Sequence, residues 1–423
     1  MRTPSATQRP VVRLVLLLGS LSVLTSLAID MYLPGLPTIA QDLDASPRLV
    51  QQTLTVFILG LATGQVVVGP LSDAWGRRRL LLSGLAVYSV GSLVCAAAPT
   101  IRVLLAGRVV QSLGAASVVV LVRATARDRF DGIAMTRLFS AFMLVTGLGP
   151  ILAPLIGAQL LAVASWRVIF LLLSAAGLLL LAVAALSLSE TLPASQRQPL
   201  DLRTQTRVLA RLVRDPPFVR YVLSGAFHFA ALFAYITGSS FVLQEVYGLS
   251  AQQYSVVFSV NGLGMVLVSQ LNGFLVGRVA DEQTLLTSSL TVGAVGGLGA
   301  FTCAVVRAPL APLLVCFFLV VSMLGPVFAN SASLALSRHG EAAGTASSLM
   351  GLLQFGVAAV AGAVSDGASI VSMGATMCVA TLAAVTVNWL GRPAFSVRRP
   401  SRRSPTAHVG VSRMSVHLAE EEA

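Results

Sequence analysis

The sequence predicts an all-α membrane protein with twelve transmembrane helices in two six-helix halves. Three observations lead there. Of the 423 residues, 55% are hydrophobic and 11% charged, with a mean hydropathy of +0.82, whereas soluble domains carry roughly 25% charged residues. Apolar runs recur at about the length that crosses a hydrocarbon core, roughly 20 residues. One long polar stretch divides these runs into two sets of six.

The first run, 12–33, follows a basic start at Arg2, Arg9 and Arg13. Ser26-Leu27-Ala28 faintly resembles a signal cleavage site, but the proline-bearing exit from Asp30 to Pro37 and the polytopic remainder favour an uncleaved helix. Runs at 50–71, 80–98, 103–123, 138–163 and 168–188 complete an N-terminal half over 12–188. The central segment 189–217 breaks the hydropathy, with Leu202, Val208, Leu209, Leu212 and Val213 interleaved with Arg203, Arg207, Arg211 and Arg214. That pattern fits either a helix lying at the membrane interface or a solvated linker. Runs at 218–240, 253–276, 286–306, 309–337, 342–364 and 368–391 form the C-terminal half, 218–391. Residues 1–11 and 392–423 are tails. The second is rich in Arg, Ser and Pro, ends in Glu420 to Glu422 and has too little apolar content to fold.

An internal repeat supports the two halves. Gln51-Gln52-Thr53-Leu54-Thr55-Val56-Phe57 and Gln252-Gln253-Tyr254-Ser255-Val256-Val257-Phe258 open equivalent spans, and Gly60 and Gly69 are spaced like Gly264 and Gly273. In parallel repeats of this kind the substrate site lies between the halves near the membrane midplane. With an even number of spans both termini share a side. Counted by tail, loop and adjoining span end, 24 arginines fall on that side, against Arg48, Arg102, Arg167 and Arg307 opposite. The positive-inside rule then puts both termini in the cytoplasm.

The formal charge of +12 is therefore topogenic. With only 6% aromatic residues and no basic patch, nucleic acid is excluded as a partner. All 29 basic residues are arginine. Without lysine there is no Walker-type phosphate loop and no Schiff base. Cys95, Cys303, Cys316 and Cys378 stand singly in apolar runs and read as packing residues. No cofactor and no metal are expected.

Between the second and third runs the chain reads Gly69-Pro70-Leu71-Ser72-Asp73-Ala74-Trp75-Gly76-Arg77-Arg78-Arg79. Gly69 allows a neighbouring helix close, Asp73 can cap a helix N-terminus, Gly76 permits a tight reversal, and Arg77 can bond Asp73 or exposed carbonyls. Arg78 and Arg79 read as topology signals. The stretch resembles the signature of the major facilitator superfamily, in which Gly69, Asp73, Gly76 and Arg77 would form a conformational latch.

Further motifs resemble the drug/proton antiporters of the bicyclomycin-resistance type within that superfamily. They are Asp30-Met31-Tyr32-Leu33-Pro34-Gly35-Leu36-Pro37, Ser165-Trp166-Arg167, and the stretch from Phe233 to Glu245, with Ser240 where proline is usual. Gly147, Gly149, Pro150, Pro154 and Gly157 resemble the antiporter helix, where such residues favour close packing and bending. Arg108-Val109-Val110-Gln111-Ser112-Leu113-Gly114 matches a further motif except that Ser112 replaces a glycine, which puts the local helix contact in question.

Asp30 and Arg108 are the charges deep inside runs, where each is costly unless paired or wet. They lie at similar depth, which allows a structural salt bridge; the resemblance implies a proton-coupling pair. Gln111 shares a helix face with Arg108. Gln111, Phe233, Tyr235, Asn261 and Gln354 are the candidate lining of a substrate cavity, and His228 reads as a packing residue.

The resemblance implies a secondary active transporter, a proton antiporter exporting small amphiphilic drugs or antibiotics by alternating access. Its partners would be a small-molecule substrate, protons and the lipid bilayer, and it would work as a monomer. Arginine-only usage and abundant alanine point to a GC-rich bacterial genome, hence an inner-membrane location. One rival is a proton symporter for uptake of a small metabolite, against which the Gly147–Gly157 motif stands. A membrane-embedded enzyme would need clustered His, Asp, Glu or Cys within the spans. A transport-dead sensor would use the basic tail as a partner site.

Overall fold

Where the sequence places helix-stop residues the chain turns, and between them it is helical throughout. A computed structural model describes residues 8–129, 132–193, 195, 197, 202–337, 339, 343–364 and 369–390. The expectation that 392–423 does not fold, and most of the 1–11 tail, lie outside the described residues. The helices are α1 (Gln8–Asp30), α2 (Leu36–Asp42), α3 (Pro47–Trp75), α4 (Arg77–Ala96), α5 (Ile101–Arg129), α6 (Gly132–Val163), α7 (Arg167–Ser187), α8 (Leu202–Val213), α9 (Pro216–Phe241), α10 (Ala251–Leu275), α11 (Glu282–Val305), α12 (Leu310–Ser322), α13 (Leu324–Leu336), α14 (Ala343–Val364) and α15 (Ile370–Leu390).

Among the described residues, eleven helical segments are long and apolar enough to cross a membrane. The twelfth span is α6, a continuous helix despite Pro150 and Pro154, of which Gly147–Val163 is a shorter apolar part. Two runs differ in detail from the sequence reading. The first ends at Asp30, passes a single 3-10 turn at Leu33–Gly35 and resumes as α2, because prolines at 34 and 37 restart the helix at N-terminal positions. The run 309–337 is two helices meeting at Met323. In the central segment, α8 is a helix rather than an extended linker.

Two equivalent starts reveal the register of the repeat. Ser46 caps α3, accepting from the Leu49 backbone N–H at 3.4 Å. Ser250 caps α10 in a capping box with Gln253. Ser46 and Ser250 are as far apart (250 − 46 = 204) as Gly60 and Gly264 (264 − 60 = 204). Both glycines mark close approaches: a Cβ on Gly60 would sit 1.9 Å from Ser112 Oγ of α5, and one on Gly264 would sit 2.4 Å from Ser322 Oγ of α12. The Gly60 contact answers the question raised by Ser112. The missing glycine is compensated from the facing helix.

Within the first half, α4 packs on α5 and α7, and α3 on α5; within the second, α11 packs on α15 and α12, and α9 on α13, α14 and α15. Between halves, α6 faces α10 and α3 faces α14. Hydrogen bonds between the halves include Ser259 Oγ to Ile151 O in mid-span (2.6 Å) and a group at the end carrying Trp166. Ser240 Oγ donates to Leu33 O (2.6 Å), Gln244 Nε2 to Pro34 O (3.1 Å), Gln252 Nε2 to Ala158 O (3.3 Å) and Arg48 Nη2 to Ala363 O (3.4 Å). At the opposite end, which carries Arg77–Arg79, Cβ atoms on Gly69 and Gly273 would meet nothing within 4 Å, and Trp75 is 59% exposed. Side-chain bonds thus join the two halves at the tryptophan end.

Candidate functional site

Arg108 sits on the buried face of α5 and is fully enclosed. Its Nη1 donates to Ala28 O of α1 (2.9 Å) and to Gln111 Oε1 (2.7 Å), its Nε to Thr53 O of α3 (3.3 Å), and its Nη2 to the Tyr32 hydroxyl (3.4 Å). The guanidinium also lies 4.2 Å from the Phe57 ring centroid and 4.6 Å from that of Tyr32. Cation–π attraction strengthens when the cation is desolvated. Carbonyls and rings, rather than a carboxylate, are what make the charge tolerable there.

This corrects the expected Asp30–Arg108 pair. Among the described residues no ion pair or hydrogen bond reaches the Asp30 carboxyl, although Asp30 is only 5% exposed. Asp30 is the last residue of α1, just before the Leu33–Gly35 turn that packs on α10 across the boundary between halves. Arg108 instead holds the α1 backbone two residues earlier. Arg108 finds its acceptors in backbone carbonyls and in the Tyr32 and Gln111 side chains.

The expected cavity residues divide. Tyr235 and Asn261 come together, the amide donating to the phenolic oxygen at 2.8 Å, and the Tyr235 ring stacks on Phe258 at 5.6 Å and meets Phe317 edge-on at 5.2 Å. Tyr254 adjoins them, its hydroxyl 3.4 Å from Ser239 Oγ. Phe233 is buried where α9 meets Thr55 and Gly362. Gln354 is half-buried on α14, beside Phe355, which packs edge-on against Phe229. Gln111 is not a cavity residue: it is fully buried between Arg108 and Ser92, donating to Ser92 Oγ at 2.8 Å.

The small residues of α6 are spread over two contacts. Gly149 faces Ser26 and Gly157 faces the Met31 carbonyl of the α1 exit, while Gly147 faces Val266 of α10. Pro150 lies against Gly262, and Pro154 continues the same helix. Thus α6 touches both halves near Asp30. At the tryptophan end, Asp42 accepts from Trp166 Nε1 at 3.0 Å and pairs with Arg167, which closes the Ser165-Trp166-Arg167 motif onto α2.

At the arginine end the turn into α4 is built around Gly76, whose φ of +97° and ψ of 156° belong to a region essentially reserved for glycine. Arg77 Nη1 pairs with Asp73 at 2.6 Å, Arg77 Nε with Asp128 at 3.3 Å, and the same guanidinium bonds Ser72 Oγ. Asp73 therefore binds the arginine and does not cap a helix. The cap of α4 comes from Glu190, whose carboxylate accepts from the backbone N–H groups of Arg77 (2.9 Å) and Arg78 (3.3 Å), and also from those of Thr191 (3.0 Å) and Leu192 (3.1 Å). Burial pushes the Glu190 carboxyl up, but these four donors outweigh it and hold it below its ordinary value. Arg78, read from sequence as a topology signal, caps the end of α7 through Leu188 O and Ala185 O, both at 2.7 Å. Gly69 stands one helical turn before Asp73 on the same face of α3, with open space beside it.

Sequence reasoning missed Asp128, Glu190 and Tyr254. Acidic residues are scarce, 17 in 423, and each acid bordering a span was a signal for the first two. Tyr254 gave none, being one aromatic among many.

Comparison with known proteins follows the same lines. The Major Facilitator Superfamily profile matches residues 18–363. The MFS-type transporter YdgK of Bacillus subtilis is 39% identical over 345 residues, covering 80% of this chain and 85% of that protein. The bicyclomycin resistance protein homolog of Haemophilus influenzae is 34% identical over 348 residues, covering 82% and 87%. Among solved structures, a bacterial homolog of the human lysosomal transporter Spinster, in an inward-facing and occupied conformation, superposes with a TM-score of 0.72 at 15% identity, over 89% of this chain and 95% of that one.

Proposed function

Because the chain belongs to the major facilitator superfamily, we propose that this transporter is a proton-coupled antiporter exporting small amphiphilic drugs or antibiotics. The observation that carries the reading is Asp30: an enclosed carboxyl at the boundary between halves, with no described partner. A lone acid in that position is the group best able to exchange one proton for a change in how the halves meet. The resistance named for the Haemophilus influenzae relative supports the substrate class.

In this scheme the arginine end faces the cytoplasm of a bacterial inner membrane, by the positive-inside rule, and both termini lie there. When that end opens, Asp30 releases its proton inward and the drug enters near Tyr235 and Asn261. After the halves rock, Asp30 takes a proton from outside as the drug leaves. Arg108 is a positioning residue that fixes the α1 backbone at Ala28. The Asp73–Arg77 pair, Gly76 and the open face of Gly69 form the latch against which the second half closes. A monomer contains all of these parts.

Proteoliposomes with an imposed pH gradient and a panel of antibiotics including bicyclomycin test the reading. Wild type should accumulate a drug uphill. Asp30→Asn should abolish pH-driven transport yet keep downhill exchange. Uphill transport by Asp30→Asn at the wild-type rate would remove the proton role, and concentrative movement in the same direction as the proton would mean symport.

A further inference from the structure

Helix α8 presents two unlike faces. Leu212 on one face is 1% exposed and packs with Phe218, Val222, Ala335 and Leu349, fastening α8 to the second half. On the other, Arg207 and Arg211 are one helical turn apart and Arg214 follows a turn later, all exposed. Like charges at this spacing repel, and among the described residues none of the three has an acidic partner. The acid beside them, Asp215, is bound by His339 at 2.7 Å. These five side chains and Ala210 line a cleft of about 660 Å³.

A second groove, about 470 Å³, adjoins the first and shares Arg214. It is mostly apolar, with Val219 and Leu223 from the first turns of α9 and Val387 and Leu390 from the last turn of α15, and the largely buried Arg220 also borders it. Pro216 and Leu390 are where the two membrane spans end. The basic cleft therefore sits at headgroup level and the apolar groove runs into the hydrocarbon beneath it. Guanidinium groups suit phosphate oxygens through paired N–H donors, and basic pockets at span ends suit anionic lipid headgroups.

We propose that the cleft between α8 and the start of α9 binds the headgroup of an anionic phospholipid, with one acyl chain in the Val219–Leu223–Val387–Leu390 groove. The bound lipid neutralises the three arginines and seats the segment joining the halves on the second half.

The full chain, purified and delipidated in detergent, is titrated separately with dioleoyl phosphatidylglycerol, dihexanoyl phosphatidylglycerol, dioleoyl phosphatidylcholine and sodium phosphate, with bound species counted by native mass spectrometry. Dioleoyl phosphatidylglycerol should bind most tightly. At roughly 1 kcal/mol per basic residue near a membrane surface, Arg211→Gln should weaken it about fivefold, and Ala210→Glu, which puts a carboxylate in the cleft, at least as much. Both positions are exposed, so the Leu212 anchor survives; circular dichroism checks this. Arg102→Gln, exposed at the tryptophan end, should change nothing. Equal binding of phosphatidylcholine, or no loss in Arg211→Gln and Ala210→Glu, overturns the site. Saturable sodium phosphate of equal affinity makes it a free-anion site instead. Equal binding of the dihexanoyl lipid removes the acyl groove.

Discussion

The turn from α3 into α4 and the turn from α10 into α11 hold the same place in their halves, yet they are built differently. The first is clamped: Gly76 is buried, Arg77 is bonded to Asp73 and Asp128, and Glu190 arrives from beyond α7 to cap α4. The second is open: Gly277 and Arg278 are exposed, and the Arg278 guanidinium rests on the Phe274 ring of its own helix at 4.5 Å. There the cap of α11 is Asp281, one residue before the helix starts. The interiors differ in the same sense. Arg108 ties α1, α3 and α5 together in the first half, whereas the second half uses a neutral pair, Asn272 and Asn330, bonded reciprocally at 2.8 and 3.4 Å. A repeated fold thus keeps its helix-packing glycines in both copies while building the equivalent turns and the interior polar ties differently in each.

The largest effect should come from the interior. Arg108→Ala leaves Ala28 O, Thr53 O and Gln111 without their donor and opens a void among rings, which should cost about 3 kcal/mol or more. Asn330→Ala orphans one amide, with an expected loss nearer 1 kcal/mol, since interhelical bonds in membranes are modest. Thermal unfolding of the two purified variants measures the gap. Equal midpoints would erase the distinction between charged and neutral cores.

Next come the glycines. Gly76→Ala forces a side chain into a glycine-only region, about 1–3 kcal/mol, and its Cβ would stand 2.5 Å from Glu190 Oε2. Gly277→Ala, at φ +72° with nothing within 4 Å, meets only the left-handed penalty, about 1 kcal/mol. Gly76→Ala should also slow drug transport in proteoliposomes while Gly277→Ala leaves it near wild type. If both transport normally, the clamp is structural and not part of switching.

What the sequence made legible follows from how local each signal is. Hydropathy and arginine spacing report on single helices, so the spans and the two halves could be read directly, as could the Gly76 reversal and the Asp73–Arg77 pairing four residues apart. Partners more than a span away were out of reach. Glu190 meets Arg77 across 113 residues, and its place beside a span marks it as notable without naming that partner. Asp30 and Arg108 were recognised as buried charges, but their pairing was inferred from depth alone. Rotation about the helix axis, which depth does not encode, gave Arg108 to backbone carbonyls and left the Asp30 carboxyl out of its reach. Gln111 failed as a cavity residue for the same reason: its face of α5 points into the half, not between the halves.

The smallest expected difference lies in the two caps, and pH exposes it. Glu190 is held below its ordinary value by the Arg77, Arg78, Thr191 and Leu192 N–H groups against an opposing burial effect; Asp281 is held low by the Thr284 side chain and then its N–H. For both, the folded value lies below the unfolded one, so their stabilisation is complete above the ordinary carboxylate range, near pH 4, and fades as pH falls through the depressed value. Asp281→Asn should be almost silent at neutral pH, because Asp and Asn cap helices about equally well. Glu190→Gln keeps one accepting oxygen but turns an amide nitrogen toward a backbone donor, with an expected loss of about 1 kcal/mol. Melting curves from pH 7 to pH 3 should therefore show Glu190→Gln starting lower and converging on wild type as acid protonates the native carboxyl, while Asp281→Asn starts level with wild type and ends slightly above it as the native aspartate is protonated. Convergence by Asp281→Asn and not by Glu190→Gln would invert the comparison and make the second turn the one held by charge.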